Sequence, residues 1–310
     1  MKKFLVKLCI FLFSIIIIDI CFGFIIGYIN DNVNCDDAGR DNYICNKLEA
    51  DILVFGSSRA QHHYNTVMIS DSLGVPSFNC GEAGYGIFLS YGRFKMILDR
   101  YTPKVIIYDI TPAFDYLDYN DNPKHLYRLK NFYNRNGVDS IFWDIDPKEK
   151  YKMISSMYKY NSSYLRSVFS FFVNMPNKIE LNGYEPMTGS IDKMKINKGY
   201  IDYDSKAGYK YDLLKIKYLR KFIDLAKTKK IKILLVSSPV WYGQDSKVLE
   251  PIKEICNIDN VKLVDYSNDN KYVHRDQYFK DGKHLNAKGA DVFTKDIIKE
   301  IKLLLNGESS

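Results

Sequence analysis

Two hydropathy regimes follow one another along the chain. From Phe4 to Ile29 the residues are almost all apolar on every side of a helix, broken mainly by Lys7, Ser14 and Asp19. At 1.5 Å per residue such a helix is long enough to cross a bilayer, and the pattern predicts one membrane-spanning segment over residues 1–29. Beyond a polar connector at 30–49, short apolar runs alternate with amphipathic stretches. "DILVF" (51–55), "PSFNC" (76–80), "KVIIYDI" (104–110), "IKILLVSS" (231–238) and "VKLVDYS" (261–267) read as strands, the third uninterrupted in apolar character as buried parallel strands are. Helical spacing fills the intervals: "YNTVMISDSLG" closed by Gly74 and Pro76, "GIFLSYGRFKMILDRY", "YDLLKIKYLRKFIDLAKTKK", "SKVLEPIKEICN", and a terminal helix from about 286 to 305.

Strands alternating with helices predict an α/β domain over 50–306, a three-layer sandwich with a mainly parallel central sheet. Between about 112 and 210 the alternation fails. That region is rich in Tyr, Asn, Asp and Lys and carries one long helical pattern, "KEKYKMISSMYKYNSSYLRSVFSFFVN", so it is expected to be a mostly helical insertion. Residues 307–310 form a short tail. No internal repeat interrupts this plan.

Composition narrows the class. With 46% hydrophobic and 26% charged residues the chain is globular. The net charge of +7 is spread out, with no basic arm and no alternation of aromatic and basic residues, so nucleic acid is not an expected partner. Lys2, Lys3 and Lys7 flank the start of the apolar helix and no basic residue follows until Arg40, which places the N-terminus in the cytoplasm and the rest outside it. A cleaved signal would have a shorter apolar core and an Ala-x-Ala-like site, which is missing, so an uncleaved single-pass anchor is expected. Asp19 lies near mid-membrane and must be protonated or paired. Contact with a membrane partner and a tolerated polar residue are both open. Cys35 and Cys45 bracket a short polar loop and could pair in an oxidising compartment. No Cys/His spacing resembles a metal site, and no cofactor is implied.

The chemistry concentrates at strand ends. In a parallel sheet, ligands bind beyond the carboxyl ends of the strands, where Gly56-Ser57-Ser58 must sit. A serine hydroxyl needs a base, and a histidine base works best when a carboxylate fixes its tautomer. Of the five histidines, His284 alone has a carboxylate at a useful short spacing, Asp281 in "FKDGKHLNAKGADVF", with Gly282 available for a tight turn. His62 and His63 follow Ser58 by about one helical turn. They face the pocket beside Arg59, contacting an anionic or sugar group, or are exposed at a helix start; the surface reading is the expectation. The 25 tyrosines and 18 phenylalanines are expected mostly in packing.

The arrangement resembles the SGNH, or GDSL-like, hydrolases. "FGSSR" is similar to their first block, with Ser57 in the usual aspartate position and Ser58 as nucleophile. "FNCGEAGYG" resembles the second through Asn79 and Gly84, and Asp281-x-x-His284 resembles the last. The resemblance covers roughly 50–112 and 211–306. It implies a flavodoxin-like sheet, a Ser58–His284–Asp281 triad, and backbone N–H groups of Ser58 and Gly84 in an oxyanion hole. The third block of the family supplies an Asn that "IIYDITPAF" lacks; Thr111 is the substitute expected here, and Arg59, His62 and Thr111 are the expected substrate contacts. Membrane-anchored relatives with a modified serine block acylate envelope polymers. The chain is thus expected to be an extracytoplasmic esterase or O-acyltransferase, acting through an acyl-serine on a cell-surface polysaccharide or acylated glycan. A multi-span acyltransferase touching the helix that carries Asp19 is the expected partner. The alternative is a catalytically silent glycan-binding or assembly component.

Overall fold

The computed structural model describes residues 1–135, 137–161, 163–173, 175–192 and 208–306; the tail at 307–310 and part of the expected insertion lie outside them. The chain begins with helices α1 (Lys2–Asn32) and α2 (Asp36–Asn46), followed by strand β1 (Ile52–Gly56). Helices α3 (Ser58–His63) and α4 (Thr66–Leu73) lead to β2 (Ser77–Asn79), α5 (Ile87–Leu98), β3 (Val105–Asp109) and α6 (Pro112–Asp115). Four short helices come next: α7 (Asp139–Ile145), α8 (Glu149–Lys152), α9 (Ser156–Tyr160) and α10 (Tyr164–Phe172). Helix α11 (Leu213–Thr228), β4 (Lys232–Ser237), α12 (Glu250–Asp259), β5 (Lys262–Asp265) and α13 (Ala287–Asn306) complete the order.

These elements fall into two compact units, residues 48–125 with 179 onward, and residues 1–47 with 126–178. In the first, five strands form one sheet in the order β2-β1-β3-β4-β5, each neighbour parallel to the next. Alternation along the strands separates two buried faces. Ile52, Val54, Ile107, Leu234 and Val236 pack with Phe293, Ile297 and Ile301 of α13, with Ala60 of α3 and with Tyr64 just past its end. On the other face Phe55 and Tyr108 meet Phe94 of α5 and Phe222 of α11, with ring centroids 4.6 to 5.9 Å apart. Helices on both faces make the expected three layers.

Local chemistry sets the helix ends. Asn65 caps α4 by accepting from Met68 N–H, and Gly74 ends it in the left-handed region. Asp212 caps α11 by accepting from the N–H groups of Leu214 and Lys215.

In the other unit α1 is long and apolar enough to cross a membrane; it is exposed all round as far as Ile18, and beyond that one side of it is covered, with Ile26 and Ile29 buried. Three expectations are corrected here. The short polar loop expected between Cys35 and Cys45 is instead the helix α2. Cys35 and Cys45 are free thiols; helix α2 holds them about 15 Å apart along its axis, far beyond the 4.4–6.8 Å Cα separation a disulfide needs. Among the described residues of the long pattern over 148–174 there are three helices: Ser155 turns its side chain to cap α9 at Tyr158 N–H, which starts a new helix instead of continuing the old one.

Candidate active site

The strand order reverses direction between β1 and β3, and in open parallel sheets such a switch point leaves a crevice at the carboxyl ends of the strands. Gly56 ends β1 there, at φ +136°, and a Cβ on it would come within 2.5 Å of Asp109 O on β3. Glycine is required at this position on both counts. Ser57 and Ser58 follow, and Ser58 opens α3.

His284 Nε2 lies 2.8 Å from Ser58 Oγ. Its Nδ1 lies 2.9 and 3.0 Å from the two oxygens of Asp281. A carboxylate only accepts, so Nδ1 carries the ring proton and Nε2 presents a lone pair to the serine hydroxyl. Asp281 also accepts from the backbone N–H groups of Lys283 and His284, which folds residues 281–284 into a turn. Gly282 is needed in it for space: a Cβ would sit 2.7 Å from the Tyr242 ring. Burial acts to raise the pKa of Asp281, but the bonds from the His284 ring and the two backbone N–H groups outweigh it and hold the carboxyl below its ordinary value.

A second cluster ties the ends of β1, β3 and β4 together. Ser57 Oγ donates to Thr111 Oγ1 at 2.7 Å, and Arg59 Nε donates to the same oxygen at 3.2 Å. The Arg59 guanidinium is buried, donates to the carbonyls of Ile110 and Ser238, and lies 3.5 Å from Asp109 Oδ1. It is therefore committed to the protein interior. Burial pushes the Asp109 carboxyl up, against the opposing pull of Arg59 and of the bond from Tyr64 Oη at 2.7 Å. Thr111 N–H donates to Asp115 Oδ2 at 2.6 Å, and burial pushes Asp115 up to about 7.

The loop bearing Gly84 follows β2 and runs beside α3. Glu82 N–H donates to Gly56 O and Ala83 N–H to Gln61 Oε1. Gly84 itself is left-handed at φ +79°. Asn79 is buried and donates to the carbonyls of Ala60 and Tyr64, so it fastens the loop to α3. His62 is half-buried, donates from Nδ1 to Glu185 O at 2.7 Å, and meets the His284 ring edge-on at 5.7 Å. His63 corrects the expected surface placement: it is fully buried. Its Nε2 accepts from Leu285 N–H at 3.0 Å, so Nδ1 carries the proton and donates to Ser238 Oγ at 3.1 Å. Burial first, and then the neighbouring His284 and Arg59, push its pKa well down and keep it neutral.

No family model matches the chain. No curated protein matches it either. Solved structures similar to it include a Bacteroides fragilis NCTC 9343 protein assigned to the acylhydrolases, at 15% identity over 89% of this chain and 93% of that one, TM-score 0.42. A GDSL-like lipase from Bacteroides thetaiotaomicron VPI-5482 has 13% identity over 81% and 88%, TM-score 0.39. An acetyl xylan esterase has 12% identity over 81% and 99%, TM-score 0.40. The chemical assignments that follow rest on this chain's own residues.

Sequence grounds alone miss Asp109 and Asp115, and offer His63 only as a pocket contact or a surface residue, not as a buried support of the site. A signal for the first existed: β1 and β3 pair with Gly56 opposite Asp109. A basic residue just past the end of one strand therefore meets an acidic residue ending its neighbour.

Proposed function

We propose that this chain is a membrane-anchored serine enzyme that hydrolyses or transfers an acyl group, acetyl being the expected one, on a cell-surface glycan outside the cytoplasm. The observation that carries the catalytic half is the 2.8 Å approach of His284 Nε2 to Ser58 Oγ, with Asp281 on the opposite ring nitrogen. In this mechanism His284 takes the hydroxyl proton as Ser58 Oγ bonds to the ester carbonyl carbon. The C–O bond to the leaving alcohol then breaks, His284 returns the proton to that oxygen, and an acyl-serine remains. Water completes hydrolysis, or a sugar hydroxyl completes transfer, by the same steps in reverse.

Charge on the carbonyl oxygen must be met by fixed donors, and the backbone N–H groups of Ser58 and Gly84 are assigned to that task. Thr111 N–H is taken by Asp115, and Thr111 Oγ1 already accepts from Ser57 and Arg59. Its one hydroxyl proton is therefore the donor it has left to offer in place of the family's Asn. The half-buried His62 is assigned to the substrate side, whereas buried Arg59 acts through Thr111 as a positioning residue. Apolar α1, with its lysines at the start, supports an anchor with a cytoplasmic N-terminus. The glycan and the acyltransferase partner are supported by the resemblance alone.

A silent, glycan-binding protein is the competing reading, favoured by the missing Asn. Labelling with a fluorophosphonate separates the two. The wild-type chain is expected to form a covalent adduct on Ser58 and to hydrolyse p-nitrophenyl acetate, and Ser58→Ala to lose both while keeping its thermal unfolding transition. An unlabelled wild type, or full activity in Ser58→Ala, would overturn the catalytic reading.

A further inference from the structure

Helix α1 is free of the rest of its unit only over its first half. Asp19 accepts three hydrogen bonds at the start of α9: from Ser155 Oγ at 2.7 Å, and from the N–H groups of Ser156 and Met157 at 2.8 Å. The carboxylate that looked unpaired in the apolar run is thus paired within the chain. Beyond it, a Cβ on Gly23 would come within 2.3 Å of Ser156 Oγ, so α9 is seated directly on the α1 backbone. Helix α10 then lies along α1 in the same direction. Phe22 meets Tyr164 at 5.7 Å and Tyr28 meets Phe171 at 6.4 Å, while Ile26, Ile29, Val33 and Tyr160 close the seam.

The arithmetic of a bilayer makes this packing consequential. Counted from Leu8, just past the last N-terminal lysine, Asp19 lies about 17 Å along the helix, near the middle of the roughly 30 Å of a hydrocarbon core. The last ~13 Å must be crossed by α1 together with whatever is packed on it. The outward surface of α10 suits that position. Leu165, Phe169 and Phe172 are 70%, 55% and 76% exposed, and Phe24 on α1 is 77% exposed. The one charged side chain of α10, Arg166, pairs with Asp36 and Asp37 of α2. This face continues the apolar surface of α1 instead of forming an isolated patch.

We infer that α9 and α10 are immersed with the second half of α1 in the outer leaflet, Leu165, Phe169 and Phe172 facing lipid acyl chains. The inference rests on the reading of α1 as a membrane anchor. It also gives Asp19 a role inside the bilayer, as the acceptor that fixes α9 to the spanning helix, where an unpaired carboxylate would be costly.

Photocrosslinking on the full chain, reconstituted in phosphatidylcholine–phosphatidylglycerol vesicles, tests it. p-Benzoylphenylalanine is placed at Phe13 in α1, at Leu165 or Phe172 in α10, or at Leu213, an exposed residue of the other unit. Lipid adducts at Phe13, Leu165 and Phe172, and none at Leu213, are expected. Adducts at Phe13 without any at Leu165 and Phe172 would overturn the inference and leave the anchor standing. Crosslinked dimers at Leu165 and Phe172 would overturn it in favour of a second copy on this face. Adducts at Leu213 as strong as those at Phe172 would also overturn it, and none at Phe13 would overturn the anchor as well.

Discussion

Asp115 is fully buried, bonded by Tyr108 Oη at 2.7 Å and by Thr111 N–H at 2.6 Å, and holds its proton up to about pH 7 against an ordinary value of 3.8. Below pH 3.8 the carboxyl is protonated in both folded and unfolded chains and contributes no pH dependence. Between 3.8 and about 7 the unfolded chain releases a proton that the folded one keeps, so stability falls as pH rises, by about 1.4 kcal/mol per unit. Above 7 both forms are ionised and the folded state carries the whole penalty, about 4 kcal/mol. Asp115→Asn removes the titration. An amide can still accept from Thr111 N–H and donate to Tyr108 Oη, so the packing is retained. The stability of the variant minus that of the wild type should rise by about 4 kcal/mol between pH 4 and pH 8, whatever fixed cost the amide imposes. Urea unfolding of both full-length chains in detergent, followed by near-ultraviolet circular dichroism across that range, measures the difference. Parallel stability curves for the two proteins would refute the assignment of a buried, proton-holding carboxyl beside Thr111.

Asp281→Asn keeps the shape but loses the anionic acceptor for His284 Nδ1–H, and a fall of about 10²-fold in kcat/KM on p-nitrophenyl acetate is expected, short of the roughly 10⁴-fold of a buried triad aspartate, because Asp281 is half exposed. His63→Phe fills the same space but leaves the Leu285 N–H without its acceptor. It should cost about 1–3 kcal/mol in urea unfolding and lower kcat with KM held, and His63→Gln, which offers an acceptor, should recover part of both. Burial pushes the Cys256 thiol up to about 12, so iodoacetamide at pH 8 should leave Cys256 unmodified in the folded protein and label it in urea, as read by peptide mass spectrometry. Rapid labelling in the folded state would contradict that burial.

What could be read from the chain, and what could not, divides by the range of the interactions involved. The five strands were legible because a buried parallel strand is a short continuous apolar run, and "DILVF" and "KVIIYDI" are bounded by residues that stop it. Ser58, Asp281 and His284 were legible as a group because each is chemically distinctive and two of them are three positions apart. Local periodicity could not reveal that Ser155 restarts a helix, since the choice between continuing α8 and capping α9 depends on the seat that Asp19 offers from far along the chain. Nor could it show that Arg59 turns inward: its partners Asp109, Ile110, Thr111 and Ser238 come from the ends of two other strands, and only the sheet order brings them to α3.

The paired histidines show how the geometry of the site is maintained. Ser58 and His284 are 226 positions apart, so their hydrogen bond needs a scaffold that fixes both ends to much better than an ångström. That scaffold is a seam between the start of α4 and the start of α13. His63 accepts from Leu285 N–H, Asn65 N–H donates to Thr294 Oγ1 at 2.9 Å, and Asn65 Nδ2 donates to Asp291 Oδ1 at 2.8 Å. Phe293 packs against both His63 and Tyr64 beneath it, at 6.3 and 5.3 Å. His62 lies on the open side of this seam and His63 on the closed side, because successive residues of a helix point about 100° apart and α3 ends just after them, at His63, with Tyr64 extended. The same dipeptide thus gives one ring to the crevice and one to the framework that keeps His284 in place. A seam made of polar bonds over an apolar base is directional, and loosening it would lengthen the Ser58–His284 distance before it unfolded the sheet.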